Sequence, residues 1–330
     1  MLGRKYELIL GKPVTFTQGV LLPAPPTTFN NNLSLEDQLR TTDGTLLVIS
    51  QHHLDFKISK NTKGDLASAT FTLYNPSPDT LAYLNSKSKQ AISVVFKCGY
   101  EDNYAVAFVG TVSKTMHVDE GIEQYIRFIC VDGEVQTKEA YTNRTFRKGT
   151  PITQVLNDLF SDMKLSYGKI LIPDEHNKPI KKNIVVSGKT SEQLKWIVED
   201  LQSDFYISDG KLNIIPKFEA PKGSTQSVHD ISSDSGMIGS PVPLDTGTDT
   251  KQDSPKNITQ KTVKSLLLPF IKIGDIVTLT SIYNQPDNLT PTSDVYKVIA
   301  IQHTGNYEGE DWTTTLDIES TTGYRIATQQ

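Results

Sequence analysis

Four groups of residues have types and spacings that invite chemistry. Ser187-Gly188-Lys189-Thr190 ends like a phosphate-binding loop, in which backbone N–H groups cradle a phosphate and a lysine meets its charge. Such a loop needs a glycine five positions before its second glycine, and that place holds Asn183, so the segment reads as a strand entering a capped helix. His52-His53 is the one adjacent pair among six histidines, with His117, His176, His229 and His303 scattered. Neighbours on a strand point to opposite faces, so the pair cannot share a metal. Glu308, Glu310 and Asp311 cluster beside Trp312, and a glycosidase would need two carboxyls about 5 to 10 Å apart across a cleft. Framed by Gly305 and Gly309, the cluster reads instead as an acidic hairpin loop. Cys98 and Cys130 fall in expected strands and read as two buried thiols, and the tripeptides at Asn143, Asn257 and Asn288 as ordinary loops. No His-Glu-x-x-His, Cys-x-x-Cys or Gly-x-Ser-x-Gly spacing occurs. No catalytic, cofactor-binding or metal-binding residue is therefore assigned, and an enzyme is not expected.

The elements carrying these groups are mostly strands. Phe56 and Ile58 alternate with Lys57 and Ser59, and Ala69, Phe71 and Leu73 with Ser68, Thr70 and Thr72, the period of a sheet with one buried and one wetted face. After a polar stop at Asn75 to Asp79, more strand follows at Ile92 to Phe96, Tyr104 to Gly110 and Tyr125 to Gly133, the spacing of a small antiparallel barrel. Pro23, Pro25, Pro26 and Asn30 to Asn32 cannot continue a ladder and read as an exposed loop or arm. From about 144 the period turns helical. Thr150-Pro151 reads as an N-cap and first turn ahead of Ile152, Val155, Leu156, Leu159 and Phe160. Thr190 and Gln193 read as a capping box ahead of Leu194, Trp196, Ile197, Val198 and Leu201. Asp209-Gly210 supplies the positive φ angles of a type I′ hairpin turn. Glu219 to Thr262 is mostly Ser, Thr, Asp, Gly and Pro around one island, Gly236 to Pro241, and reads as linker. Strands resume at Thr262 to Leu268, Gly274 to Ser281, Val295 to His303 and Trp312 to Ile318. The expected fold class is mainly β with a small α+β module. A first barrel with an N-terminal arm covers 1–143, the module 144–218, a polar linker bringing the first strand of the second barrel 219–262, and that barrel 263–330.

The 330 residues, 37% apolar and 8% aromatic, suit β units with wetted outer faces. No stretch approaches the roughly 18 apolar residues of a membrane span. The apolar run after Met1 is short and broken by Glu7, so synthesis in a cytoplasm is expected. From Glu219 onward eight Lys and Arg face fourteen Asp and Glu, a net of −6, whereas the earlier residues carry 25 against 24. A basic stripe able to grip phosphates is absent from the sequence, and the acidic end suits a surface that lets nucleic acid pass.

In order along the chain, Phe56 to Lys60, Ala69 to Pro76 with Leu81, Phe96 to Tyr100, Phe108 to Val112 and Ile129 to Gly133 resemble the hub proteins of contractile phage tail baseplates, a family shared with the N-terminal part of type VI secretion spikes. The module ending at Asp209 to Pro216 agrees, as do Val263 to Pro269, Ile273 to Val277, Tyr296 to Val298, His303 to Asn306 and Asp311-Trp312. The resemblance omits residues 1 to about 45 and the loop around 242 to 258. It implies a structural virion protein with two tail-tube-like antiparallel β-barrels per chain. A homotrimeric ring would adapt a hexameric tail tube to a trimeric spike and leave a channel for DNA in transit. The implied partners are further copies of the chain, the tube protein, the central spike, and wedge and tape measure proteins of the assembly; no cofactor is implied. The implied place is the virion tail baseplate, after synthesis in the bacterial host cytoplasm. The chain ends at Gln330 soon after its last strand, so any spike is expected to be a separate protein. Two alternatives are a carbohydrate-binding β-module using Tyr100, Tyr104, Tyr307 and Trp312, and a cell-wall-degrading tail enzyme using the acidic loop.

Overall fold

The computed structural model describes residues 3–11, 47–62, 64–84, 92–101, 103–119, 124–219, 228–244, 259–281 and 292–321. The arm at Pro23 to Asn32 and the tripeptides at Asn257 and Asn288 lie outside them. The first strands are β1 (Arg4–Gly11), β2 (Leu47–Ile49), β3 (Leu54–Asn61) and β4 (Ser68–Tyr74), then helix α1 (Pro78–Leu84), β5 (Ser93–Tyr100), β6 (Asn103–Asp119) and β7 (Gln124–Val131). Helix α2 (Glu134–Glu139) leads to β8 (Tyr141–Phe146), α3 (Ile152–Met163), β9 (Ser166–Ile170), β10 (Ile184–Lys189), α4 (Thr190–Asp200), β11 (Ser203–Ser208) and β12 (Lys211–Pro216). The last strands are β13 (Val228–Ile231), β14 (Met237–Pro243), β15 (Gln260–Leu266), β16 (Ile276–Ser281), β17 (Thr292–Asn306) and β18 (Trp312–Ser320).

Among the described residues one 13-stranded sheet runs β14-β15-β18-β17-β3-β4-β7-β6-β5-β1-β2, with β13 and β16 branching from β17. Its middle joint, antiparallel β17 to β3 with His303 opposite Ile58, welds the two ends of the chain together. The sheet covers two cores, and its ladder does not close on itself among the described residues. Around the first core, Phe71 stands among Phe96, Phe108 and Phe128 at ring separations of 4.9, 6.4 and 5.3 Å. Phe56 of β3 reaches Phe96 of β5 at 4.7 Å across the interior. The Tyr6 hydroxyl closes the remaining gap, donating to His52 O at 2.7 Å and accepting from His52 N–H at 2.9 Å. Leu267 and Trp312, from the far end of the chain, also belong to this core. The second core holds Val263, Val277, Leu279, Tyr296, Val298, Leu316 and Ile318.

The module has a core of its own. Ile152, Val155, Leu156, Leu159, Phe160 and Met163 form the buried face of α3, against Val186, Leu194, Ile197, Val198 and Leu212. The expected type I′ turn is present, with Asp209 at φ 56° and Gly210 at φ 70° between Ser208 and Lys211, which face each other. Two expected caps shift. Pro151 rather than Thr150 stands at the α3 N-cap, and the Thr150 hydroxyl donates to Arg147 O at 2.8 Å. Thr190 is the first residue of α4, with Lys189 at the cap and no side-chain cap bond, because Thr190 turns inward to complete burial. The segment read as linker contains β13, parallel to β16, and β14, antiparallel to β15. Both sit at the sheet's margin, where burial of alternate residues is not required.

Candidate assembly surface

Residues on the face opposite the cores make one polar wall across both halves of the sheet. In register, Lys264, Thr315, Gln302, Ser59 and Ser68 form a row from β15 to β4. Beside it run Thr313, Thr304, Lys57 and Thr70, and then Asn306, Asp55, Thr72 and Arg127. The alternation that buries Phe56, Phe71 and Phe128 on one face forces hydroxyls, amides and sparse charges onto the other. A shallow groove of about 320 Å³ lies in this wall, lined by Asp55, Lys57, Thr70, Thr72, Arg127 and Asp311 among others. Arg127 Nε donates to Thr72 Oγ1 at 3.3 Å, and the Tyr74 hydroxyl donates to Asp55 Oδ2 at 3.1 Å.

Of the acidic loop, Asp311 reaches this groove while Glu308 and Glu310 do not line it. Arg4 holds the loop's backbone instead, donating to Asn306 O at 3.1 Å, to Glu310 O at 3.0 Å and to Gly309 O. His52 and His53 occupy a turn rather than a strand. His53 stacks on Tyr74 at 4.1 Å and lies 3.7 Å from both Asp55 and Glu308, while the His52 ring faces Ser50 O at 3.4 Å. His303 is buried on Thr314 at 2.9 Å, and burial followed by the nearby Lys60 pulls its pKa down to about 3, so it stays neutral. His176 faces Glu175 at 3.3 Å and His229 faces Asp275 at 3.5 Å, while His117 lies on β6. Among the described residues no three His, Cys, Asp or Glu side chains are placed to hold a metal.

The carbohydrate reading needed an exposed aromatic face, and its four residues do not make one. Trp312 is 1% exposed and sits edge-on to Phe56 at 5.2 Å, and Tyr307 packs on Tyr6 at 4.9 Å. Tyr100 reaches Trp312 O at 3.5 Å, and Tyr104 lies under the Lys5 ammonium at 4.9 Å. Cys98 and Cys130 are buried free thiols, their strands separated by β6, and burial pushes both thiols up. Ser187 to Lys189 end β10 against β8, where Asn143 pairs with Ser187.

The module is fixed to both barrels by buried polar contacts that no motif announced. The hairpin tip touches the first barrel, where Gly210 N–H is shared by the two Asp132 carboxylate oxygens at 3.1 Å and Lys60 lies 3.6 Å from Asp209. Against the second barrel, the Tyr206 hydroxyl donates to Ile273 O at 3.0 Å. Lys297 Nζ donates to Pro216 O at 2.8 Å and to Lys217 O, and stands 3.4 Å from Glu319.

Burial raises the Asp132 carboxyl to about 6, against the lowering effect of the Gly210 N–H. A carboxyl with a folded pKa above its unfolded value near 3.8 binds protons more readily in the fold. Its charged form therefore burdens the fold above pH 6, and the burden vanishes as pH falls from about 6 towards 4. Asp132→Asn keeps an acceptor for Gly210 and should erase this part of the profile, worth at most about 3 kcal/mol. Chemical denaturation at pH 8 and pH 5 checks it: the variant's gain over wild type should appear at pH 8 and shrink at pH 5, and an equal difference at both would contradict the assignment.

No protein-family model matches the sequence, and the search of curated proteins gives no match. In structure the chain is similar to the tail protein from Neisseria meningitidis MC58, with a TM-score of 0.57, 11% identity, and 83% of this chain and 94% of that one covered. It is also similar to the 43 kDa tail protein of prophage MuSo2 from Shewanella oneidensis, with a TM-score of 0.56, 11% identity and coverage of 82% and 93%. A third likeness is to the E. coli c3393 protein, with a TM-score of 0.55, 8% identity and coverage of 84% and 76%. That protein is described as a component of the type VI secretion system, similar in structure to T4 bacteriophage tail proteins gp27 and gp5. At these identities the likeness is one of fold. The chain has the fold of these tail proteins, mainly β with a small α+β module.

Proposed function

We propose that this chain is a structural tail protein, the baseplate hub of a contractile phage tail, three copies of which form a ring between a sixfold tube and a threefold spike. The observation that carries the reading is the polar wall running unbroken over both barrels through the β3–β17 joint. Each chain brings an arc of eight strands, β14-β15-β18-β17-β3-β4-β7-β6. Three arcs at about 4.8 Å per strand give a circumference of roughly 115 Å and a bore of roughly 37 Å before strand tilt, wide enough for duplex DNA. The two barrels per chain make six around the ring, which is what a hexameric tube requires. The tube, the spike, and wedge and tape measure proteins are the partners this reading supplies, and a virion baseplate is the place.

The wall is not the acidic lining expected from the composition of the C-terminal region. Lys57, Lys114, Arg127 and Lys264 share it with Asp55 and Asp317. Passage of DNA would rest on sparse charges of both signs among hydroxyls rather than on repulsion, since a wall of one positive sign would hold the phosphates.

Ring closure sets β14 of one copy beside the end of β6 in the next, beyond Thr111, where β6 no longer pairs with β5. Ile238 and Val242, 40% and 60% exposed, offer the apolar contact there. Light scattering with negative-stain imaging should give three times 36.6 kDa and a ring with a channel, and Ile238→Asp with Val242→Asp should reduce it to a folded monomer that loses only the concentration-dependent part of the melting temperature. A wild-type chain that stays monomeric at high concentration and with its spike would sink the ring.

A further inference from the structure

Five basic side chains spread from 147 to 182 are gathered into one knuckle on the module. Gly149 N–H donates to Ile180 O and Ile180 N–H to Thr150 O, both at 2.9 Å, and Lys148 N–H donates to Asn183 Oδ1 at 2.8 Å. These bonds lace the loop before α3 to the loop before β10. Arg147, Lys148, Lys178, Lys181 and Lys182 are all exposed. Among the described residues none of the five has an ion-pair partner. The ion pairs nearby go to Arg144 with Asp162, His176 with Glu175 and Lys189 with Glu192. The acids on the same loop are Asp174 and Glu175, and Glu175 is turned to His176. Over 144–218 twelve Lys and Arg face nine Asp and Glu, a net of +3, between a region of −2 before it and −6 after it.

We infer that this knuckle is a docking surface for an acidic protein partner. Like charges held together with no ion-pair partner among the described residues are offset by a partner of opposite sign, which also steers its approach. The patch is compact rather than a stripe, and a nucleic acid extended across it would run on into regions of net negative charge. The same module exposes Tyr141 and Trp196 at 65% and 51%, and aromatic side chains of this kind anchor protein interfaces. The acidic loop of Glu308, Glu310 and Asp311 stands at the other end of β3, beside Leu54, while Lys60 meets the module at this end. The eight residues of β3 put about 26 Å between the two ends. The net-positive module and the acidic loop thus meet opposite ends of β3. This holds whether or not the chain forms a ring.

The test titrates the full chain with poly-L-glutamate, and in parallel with a short DNA duplex and with phosphatidylglycerol vesicles. Poly-L-glutamate should bind, weaken with added salt, and bind about tenfold less tightly to the Lys181→Glu, Lys182→Glu variant, which loses two exposed ion pairs and gains two like-charge contacts. Glu310→Lys, at the opposite end, should leave the affinity unchanged. Absent binding, or equal binding by the double variant, overturns the inference. Tighter binding of the duplex or the vesicles to the same two lysines overturns it in favour of that ligand.

Discussion

Lys297→Ala is expected to cost the fold about 3 to 5 kcal/mol, the range for removing one partner of a buried ion pair. Lys297 is 1% exposed, and its ammonium bonds Pro216 O and Lys217 O and stands beside Glu319 in the seam between module and second barrel. Burial pulls that ammonium below the usual lysine range, while Glu319 and Asp204 oppose the pull. Removal leaves Glu319, 5% exposed and bonded to Gln260 at 2.8 Å, facing two unpaired carbonyl oxygens. Asp204, which burial raises to about 6, loses a cation as well. Urea unfolding should show the loss, and the paired change Lys297→Met with Glu319→Leu should recover the part due to Glu319, whose charge is then no longer stranded, while the two carbonyl oxygens and Asp204 keep the rest. A single-variant cost under about 1 kcal/mol would mean that water enters the seam.

Trp312→Ala should cost a similar amount, about 3 to 5 kcal/mol, by opening a cavity in the first core. The ring is edge-on to Phe56, lies under the Arg4 guanidinium at 5.5 Å and faces Gly305, where an added Cβ would come within 2.7 Å of it. A phenylalanine there should retain much of the packing. Thermal melting decides between core and surface: a tryptophan kept for stacking on sugar would be nearly neutral to remove.

Sequence period revealed the strands that bury alternate residues, such as β3, β4 and β7, and the helix α3, because each segment's own pattern records which face is covered. The turn at Asp209-Gly210 was equally legible, since positive φ at two successive residues selects those types. Strands β13 and β14 were not, because a marginal strand with little buried surface carries no alternation and tolerates Pro241 and Pro243. The burial of Trp312 could not be read beside three acidic residues, as its partners Phe56 and Tyr307 come from tertiary pairing. The basic knuckle escaped for the same reason: its charges are neighbours in space through the bonds of Gly149 and Ile180, while along the chain they are dilute.

The β3–β17 joint also fixes an order of events during synthesis. Residues near 54–61 pair with β4 as soon as it emerges, but their other edge finds β17 only when residues near 300–306 have emerged, and the first core stays open until Trp312 arrives. At about 5 to 20 residues per second, the edge of β3 waits on the order of ten seconds to a minute with its donors and acceptors unpaired. Folding from the N-terminus outward cannot finish the first barrel, so the nascent chain depends on the shielding available to it at the ribosome, and slow or interrupted translation through 219–306 should favour aggregation over a folded intermediate.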